Sequence, residues 1–161
     1  MKTANRRAPS IGIYRFGEGA TLPGLCIGVT RHPPRGVRRD RWSELGLCDV
    51  WLPLLAPSRE LVAAYRHDGI PYSTFAARYR REMARPEARH LIALLAAVAQ
   101  ARTIHLGCVC ADPARCHRSI LRDLIVRAQA GSHLRLAFPD TETAGPRGCS
   151  SPPCSMPEIE D

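Results

Sequence analysis

The sequence predicts a single α/β domain whose mostly parallel sheet is covered on both faces, a three-layer arrangement. Three observations predict it. The runs Leu25–Thr30 and 103–110 are short and mainly apolar, as strands buried on both faces are. Segments with helical spacing of apolar residues fill the stretch between them. Each apolar strand runs directly into a loop or turn rich in Pro and Arg, the punctuation of alternating α/β units.

The elements follow in order. Ile11–Phe16 alternates apolar with polar or Gly positions and reads as a first strand, and Leu25–Thr30 as a second. Asp49–Leu55 reads as a third, although Pro53 lacks a ladder donor. Ser58 is placed to cap a helix that carries Glu60 in its first turn and stops at Gly69. A second helix fits 73–83, with Phe75, Tyr79 and Met83 on one face. A third fits 87–101, with Leu91, Leu94, Leu95 and Val98 as its apolar stripe. The strand at 103–110 is followed by a helix that Asp112 and Pro113 open and Gly131 ends. Leu134–Phe138 reads as a last strand. Residues 1–10 are expected to be a flexible N-terminus, 11–138 the folded domain, and 139–161 a disordered tail of Pro, Gly, Ser and Thr with an acidic end.

Composition narrows the function classes. A chain of 161 residues with 45% apolar content suits one soluble domain. The net charge of +8 favours a negatively charged partner. Lys2 is the sole lysine among 23 basic residues, so the arginine preference is also readable as a property of the whole composition. No run approaches the ~18 apolar residues of a membrane helix. Pro9, Gly12, Arg15 and Glu18 interrupt what would be the core of a signal peptide after Lys2, Arg6 and Arg7. Seven cysteines without scaffold spacing point to free or metal-bound thiols in a reducing cytoplasm.

The chemistry concentrates at the end of the 103–110 strand, where Cys108, Cys110, Cys116, His117, Arg115 and Arg118 fall close together. Ligands of open α/β sheets sit at such strand ends and against helix N-termini. In the first turns of a helix opened at Asp112, Cys116 would have a lowered thiol pKa and act as a nucleophile, with His117 as acid or base. The same two residues share helical spacing with Ile120, Leu121 and Leu124, which equally describes side chains turned into a core. The spacing Cys-x-Cys-x5-Cys-His differs from the paired CxxC of zinc knuckles, so no metal or other cofactor is expected; Cys108, Cys110, Cys116 and His117 are the side chains that would hold a metal. Arg31 and Arg35, in the Pro-Pro-Arg-Gly loop after the second strand, supply the second wall of a site. There they would join Asp112, Arg115 and Arg118 in binding an anion.

Several segments carry a resemblance. Val29 to Gly36 (Val-Thr-Arg-His-Pro-Pro-Arg-Gly) resembles the "Val-Asp-Arg-x-Trp-Pro-Arg-Gly" signature of the bacterial domain-of-unknown-function family 488. Trp51 with Ala56 to Leu61 is similar to its "Trp…Pro-Ser-x-x-Leu" segment, and Tyr72 to Met83 to its aromatic-x-x-Phe…Tyr…Glu-Leu helix. Cys110 to Arg118 resembles its "Cys-x-Asp/Glu-x-Pro…Cys-His-Arg" motif. The resemblance spans about 11–128 and implies a Rossmann-like fold without implying an activity. Thr30 and Pro33 stand where that family usually has Asp and Trp.

The sequence therefore points to a pocket for a small phosphate- or carboxylate-bearing ligand between the 31–36 loop and the 110–118 turn, with catalysis left open. One alternative is a nucleic-acid-binding module using the arginines of 31–41 and 78–89. Another is a regulatory or structural protein with a vestigial pocket.

Overall fold

The computed structural model describes residues 10–131. The expected strand at 134–138 and the expected tail lie outside the described residues, as does nearly all of the N-terminal segment. Four parallel strands, β1 (Ile11–Arg15), β2 (Leu25–Gly28), β3 (Val50–Trp51) and β4 (Ile104–Cys108), are ordered β1–β4–β2–β3. The α/β fold with a parallel sheet is thus present. The last described strand pairs with both of the first two, so the described sheet closes only after the helical segment has been built.

Four helices, α1 (Arg59–Arg66), α2 (Tyr72–Met83), α3 (Pro86–Ala101) and α4 (His117–Gly131), contribute to one apolar cluster with the sheet. Ile27, Val29, Ile104 and Leu106 face this cluster. Tyr14, Cys26 and Gly28 face the other way, as the period of two requires. That second face is covered by the irregular segments 16–24 and 36–48, with single 3-10 turns at Gly19–Thr21 and Arg39–Arg41. Tyr14 donates its hydroxyl to Leu47 O, and Asp49 accepts from both Cys26 N and the Ser43 hydroxyl. Gly107 is required here, because a Cβ would meet the Tyr14 ring at 2.4 Å.

Three elements differ from the sequence reading. The third strand is only Val50–Trp51, because the chain turns into a 3-10 helix at Pro53–Leu55, where proline starts a turn more readily than it extends a ladder. The buried stripe of α3 is Ala88, Ile92, Leu95, Ala96 and Ala99, and Leu94 is 57% exposed. Small alanines let backbones approach closely, so the face that packs is the one richest in alanine, beside the large-residue face. Finally, Asp112 and Pro113 open a single 3-10 turn, Pro113–Arg115, and Cys116 is extended (φ −119°, ψ 142°) before α4 starts at His117.

The start of α1 is held to the end of α2. Ser58 caps α1 by accepting from Leu61 N at 3.2 Å, and its hydroxyl donates to the Glu82 carboxylate, which also accepts from Ser58 N at 2.9 Å. Tyr79, fully buried, donates to Leu55 O at 2.7 Å. Losing an N-cap costs about 1 kcal/mol, and side chains sharing one hydrogen bond are not additive. Ser58→Ala and Glu82→Ala should each lower the free energy of urea unfolding by about 1 kcal/mol or more. The double variant should cost clearly less than the two summed; full additivity would show that the clamp does not form.

Candidate functional site at the carboxyl ends of β2 and β4

The chain leaves β2 toward β3, whereas after β4 it enters α4, which packs on β1. The connections after these two adjacent parallel strands therefore diverge, and a crevice opens at their carboxyl ends, where open α/β sheets place ligands. The crevice measures about 500 Å³. Its walls are the loop Thr30–Arg35, the α1 residues Val62, Tyr65 and Arg66, Phe16 after β1, Phe75 of α2, and the stretches 108–110 and 115–117.

The loop wall is fixed through Arg31. Its guanidinium donates to Pro57 O and Ala56 O at 3.0–3.2 Å, tying the strand-end loop to the start of α1. Thr30 donates its hydroxyl to His32 O, and Trp51 Nε1 donates to Thr30 O, both at 2.8 Å. Thr30 thus turns back on its own loop. Arg35 and Arg115 are exposed at the mouth together with Arg66, and none of the three has an ion-pair or hydrogen-bond partner among the described residues. Asp112 lies outside the lining and caps the 3-10 turn by accepting from Ala114 N at 2.8 Å.

At the floor, the sulfurs of Cys108, Cys110 and Cys116 all lie within 4.8 Å of one another, and Cys108 to Cys110 measures 3.6 Å. On a continuous extended strand, sulfurs two residues apart would be held too far apart to bridge. Strand β4 ends at Cys108, so the backbone turns at Val109 and folds Cys110 back toward it. Cys108 and Cys116 are buried, and Cys110 is half-buried facing the cavity. Thiol hydrogen bonds from Cys108 and then Cys116 favour the thiolate at Cys110 and hold its pKa far below that of a free cysteine, with the Arg66 guanidinium adding positive potential. The same sharing of protons, and burial, push Cys116 up. The expected lowered pKa thus belongs to Cys110, while Cys116 keeps its proton.

His117 is buried, and its Nε2 lies 2.8 Å from Val29 O. A carbonyl only accepts, so Nε2 carries the hydrogen and Nδ1 presents its lone pair, 3.8 Å from Cys116 Sγ. Desolvation lowers the imidazole pKa and keeps the ring neutral.

Arg118 corrects the sequence reading of an exposed ligand-binding arginine. It is 3% exposed, and its Nη1 donates to Tyr14 O, Cys108 O and Cys110 O at 2.9–3.3 Å. The strand carbonyls needed a donor, and the first turn of α4 supplies it. Sequence reasoning missed Phe16, Tyr65 and Arg66. Arg66 carried a signal, being the basic residue in the last turn of α1.

Parallel sheet, divergent strand ends and a crevice floored by cysteines define an α/β protein with its main crevice at a switch in strand order. The family model DUF488-N3a, described as the active DUF488-N3 subclade, matches residues 11–129, and the chain belongs to this family. No curated protein and no solved structure matches it significantly. No helix among the described residues is long and apolar enough to cross a membrane.

Two outcomes follow. Arg118→Ala should destabilise the fold by on the order of 3 kcal/mol, because the Tyr14 and Cys110 carbonyls lose a buried charged donor while Cys108 O keeps only the Phe16 amide. Arg35→Ala should stay within about 0.5 kcal/mol, as exposed substitutions do; equal melting temperatures for the two variants would contradict the buried role. In reduced, EDTA-treated protein, iodoacetamide should label Cys110 ahead of Cys26, Cys48, Cys108 and Cys116, read by peptide mass spectrometry. Cys116 labelling first would restore it as the exposed thiol.

Proposed function

We propose that the protein binds a small organic anion, bearing phosphate or carboxylate, in the crevice between β2 and β4. The observation that carries this reading is the pairing of three unpartnered arginines, Arg35, Arg66 and Arg115, with an apolar wall of Phe16, Val62, Tyr65, Phe75 and Pro57 around one cavity of about 500 Å³. That volume is the size of a metabolite site. An arginine fork is suited to carboxylate and phosphate, and the apolar wall selects for an organic body over a bare ion. The word "active" in the family's description supports keeping a reaction in view, and Cys110 is then the thiol placed to touch the ligand, with Cys116 and His117 behind it. The free cysteines support a reducing, cytoplasmic setting.

A nucleic-acid face is less well supported. Within 31–41, Arg38 pairs with Asp40, Arg41 with Glu44, and Arg39 lies over the Trp42 ring, so much of that basic run is engaged locally.

Thermal shift decides. A panel of aryl phosphates, nucleoside monophosphates and aryl carboxylates should contain compounds that raise the melting temperature more than inorganic phosphate does. Saturation at 100 times Kd adds about 2.7 kcal/mol. Arg115→Ala and Arg66→Ala should remove the shift without lowering the unliganded melting temperature. If no small anion shifts melting, while Arg115→Ala and Arg85→Ala weaken DNA binding equally and each lowers its salt slope by about one, the crevice reading is wrong.

A further inference from the structure

We propose that Cys108, Cys110 and Cys116, completed by Nδ1 of His117, form a site for a thiophilic divalent cation, with zinc the fitting biological metal. The sulfur geometry is the first argument. Tetrahedral zinc with Zn–S bonds of about 2.3 Å holds its sulfurs about 3.8 Å apart. The observed 3.6 Å between Cys108 and Cys110, and the 4.8 Å limit over all three, bring the sulfurs within side-chain rotation of such a shell, while Nδ1 of His117 stands 3.8 Å from Cys116 Sγ, outside that group, and has to move in to complete it.

The second argument is the imidazole. A metal-bound histidine gives its other ring N–H to a backbone carbonyl or carboxylate, which fixes the ring and its tautomer. His117 already does so: Nε2 is committed to Val29 O, and the free Nδ1 is on the side of Cys116 Sγ.

The third argument is the fixed backbone beneath the sulfurs. Arg118 pins Cys108 O and Cys110 O, which fixes the backbone carrying two of the ligands. Cys110 opens on the crevice, which gives a cation its entry path. Soft thiolates with one imidazole select zinc over magnesium or calcium. A cation there would occupy the Cys110 thiolate, so the crevice would then bind its ligand without attacking it.

The test uses the full chain, purified under reducing conditions. Elemental analysis after zinc loading and desalting should give one zinc per chain. Cobalt substitution should give a thiolate-to-metal charge-transfer band and tetrahedral ligand-field bands. Competition with a chromophoric chelator should show Cys108→Ser and Cys116→Ser weakened by more than about 100-fold, since outer-sphere changes alone cost about 10–100-fold. Cys48→Ser, a buried cysteine away from the cluster, should keep its full equivalent. Should the cluster variants fail to fold, wild-type protein still answers, because zinc should slow alkylation of Cys110 and leave that of Cys48 unchanged. Zinc well below one equivalent after loading, or a full equivalent retained by Cys108→Ser, overturns the site. Metal content is read without any anion, and the anion shift can be read in metal-free protein, so either proposal can fail alone.

Discussion

The arrangement depends on one buried cation. Arg118, from the first turn of α4, donates to carbonyls of β1, of β4 and of the turn beyond β4. The carbonyls at the carboxyl ends of parallel strands need donors, and a buried carbonyl without one is costly. One terminal nitrogen of the guanidinium, Nη1, meets all three, while Nε has no partner among the described residues. The cost is desolvation of a charge, offset by three carbonyl dipoles, and it fixes where α4 starts. Because α4 starts there, Cys116 and His117 are delivered to the crevice floor rather than to an arbitrary helix face.

The rest of the crevice is built around that fixed point by backbone hydrogen bonding rather than by ion pairs. Arg31 does for the β2 loop what Arg118 does for β4, bonding Ala56 O and Pro57 O and drawing α1 against the strand end. His117 bonds Val29 O across the crevice floor and Tyr72 bonds Cys116 O, so the two walls are cross-linked from both sides. The described ion pairs are all exposed and contribute little. Two of the arginines that look most like anion ligands in the sequence are therefore structural, and the free positive charge at the mouth comes from Arg35, Arg66 and Arg115.

Much of this was legible in the sequence. Continuous apolar runs identified β2 and β4, Ser58 and Gly69 bracketed α1, and Cys110 to Arg118 marked the place of the site. Its chemistry was harder to read, for physical reasons. Whether Asp112 and Pro113 open an α-helix or a single 3-10 turn depends on what Cys116 packs against, and that is set by residues far away in the chain. Arg118 differs from Arg115 only in the direction it points, and local sequence does not encode which of two arginines meets a strand end. The proximity of Cys108 to Cys110 follows from where β4 stops, and strand ends are fixed by pairing partners, here Arg15 and Gly28. Phe16 and Tyr65 reach the cavity from separate elements and had no shared spacing to reveal them.

The electrostatics of the crevice then follow from depth. The exposed arginines hold their charge in water, where it attracts an anion from a distance but is screened by salt. The sulfurs lie deeper, in a setting where a lone negative charge needs a donor or a cation nearby. Without a cation, the three thiols meet this need by sharing protons, which concentrates the charge on Cys110, the one nearest the cavity. With a cation, the charge would spread over all three sulfurs, and the floor would no longer present a single nucleophile. Under the two proposals, the same residues would serve either attack by Cys110 or metal-held rigidity. What separates them is occupancy of a space less than 5 Å across, given that all three sulfurs lie within 4.8 Å of one another.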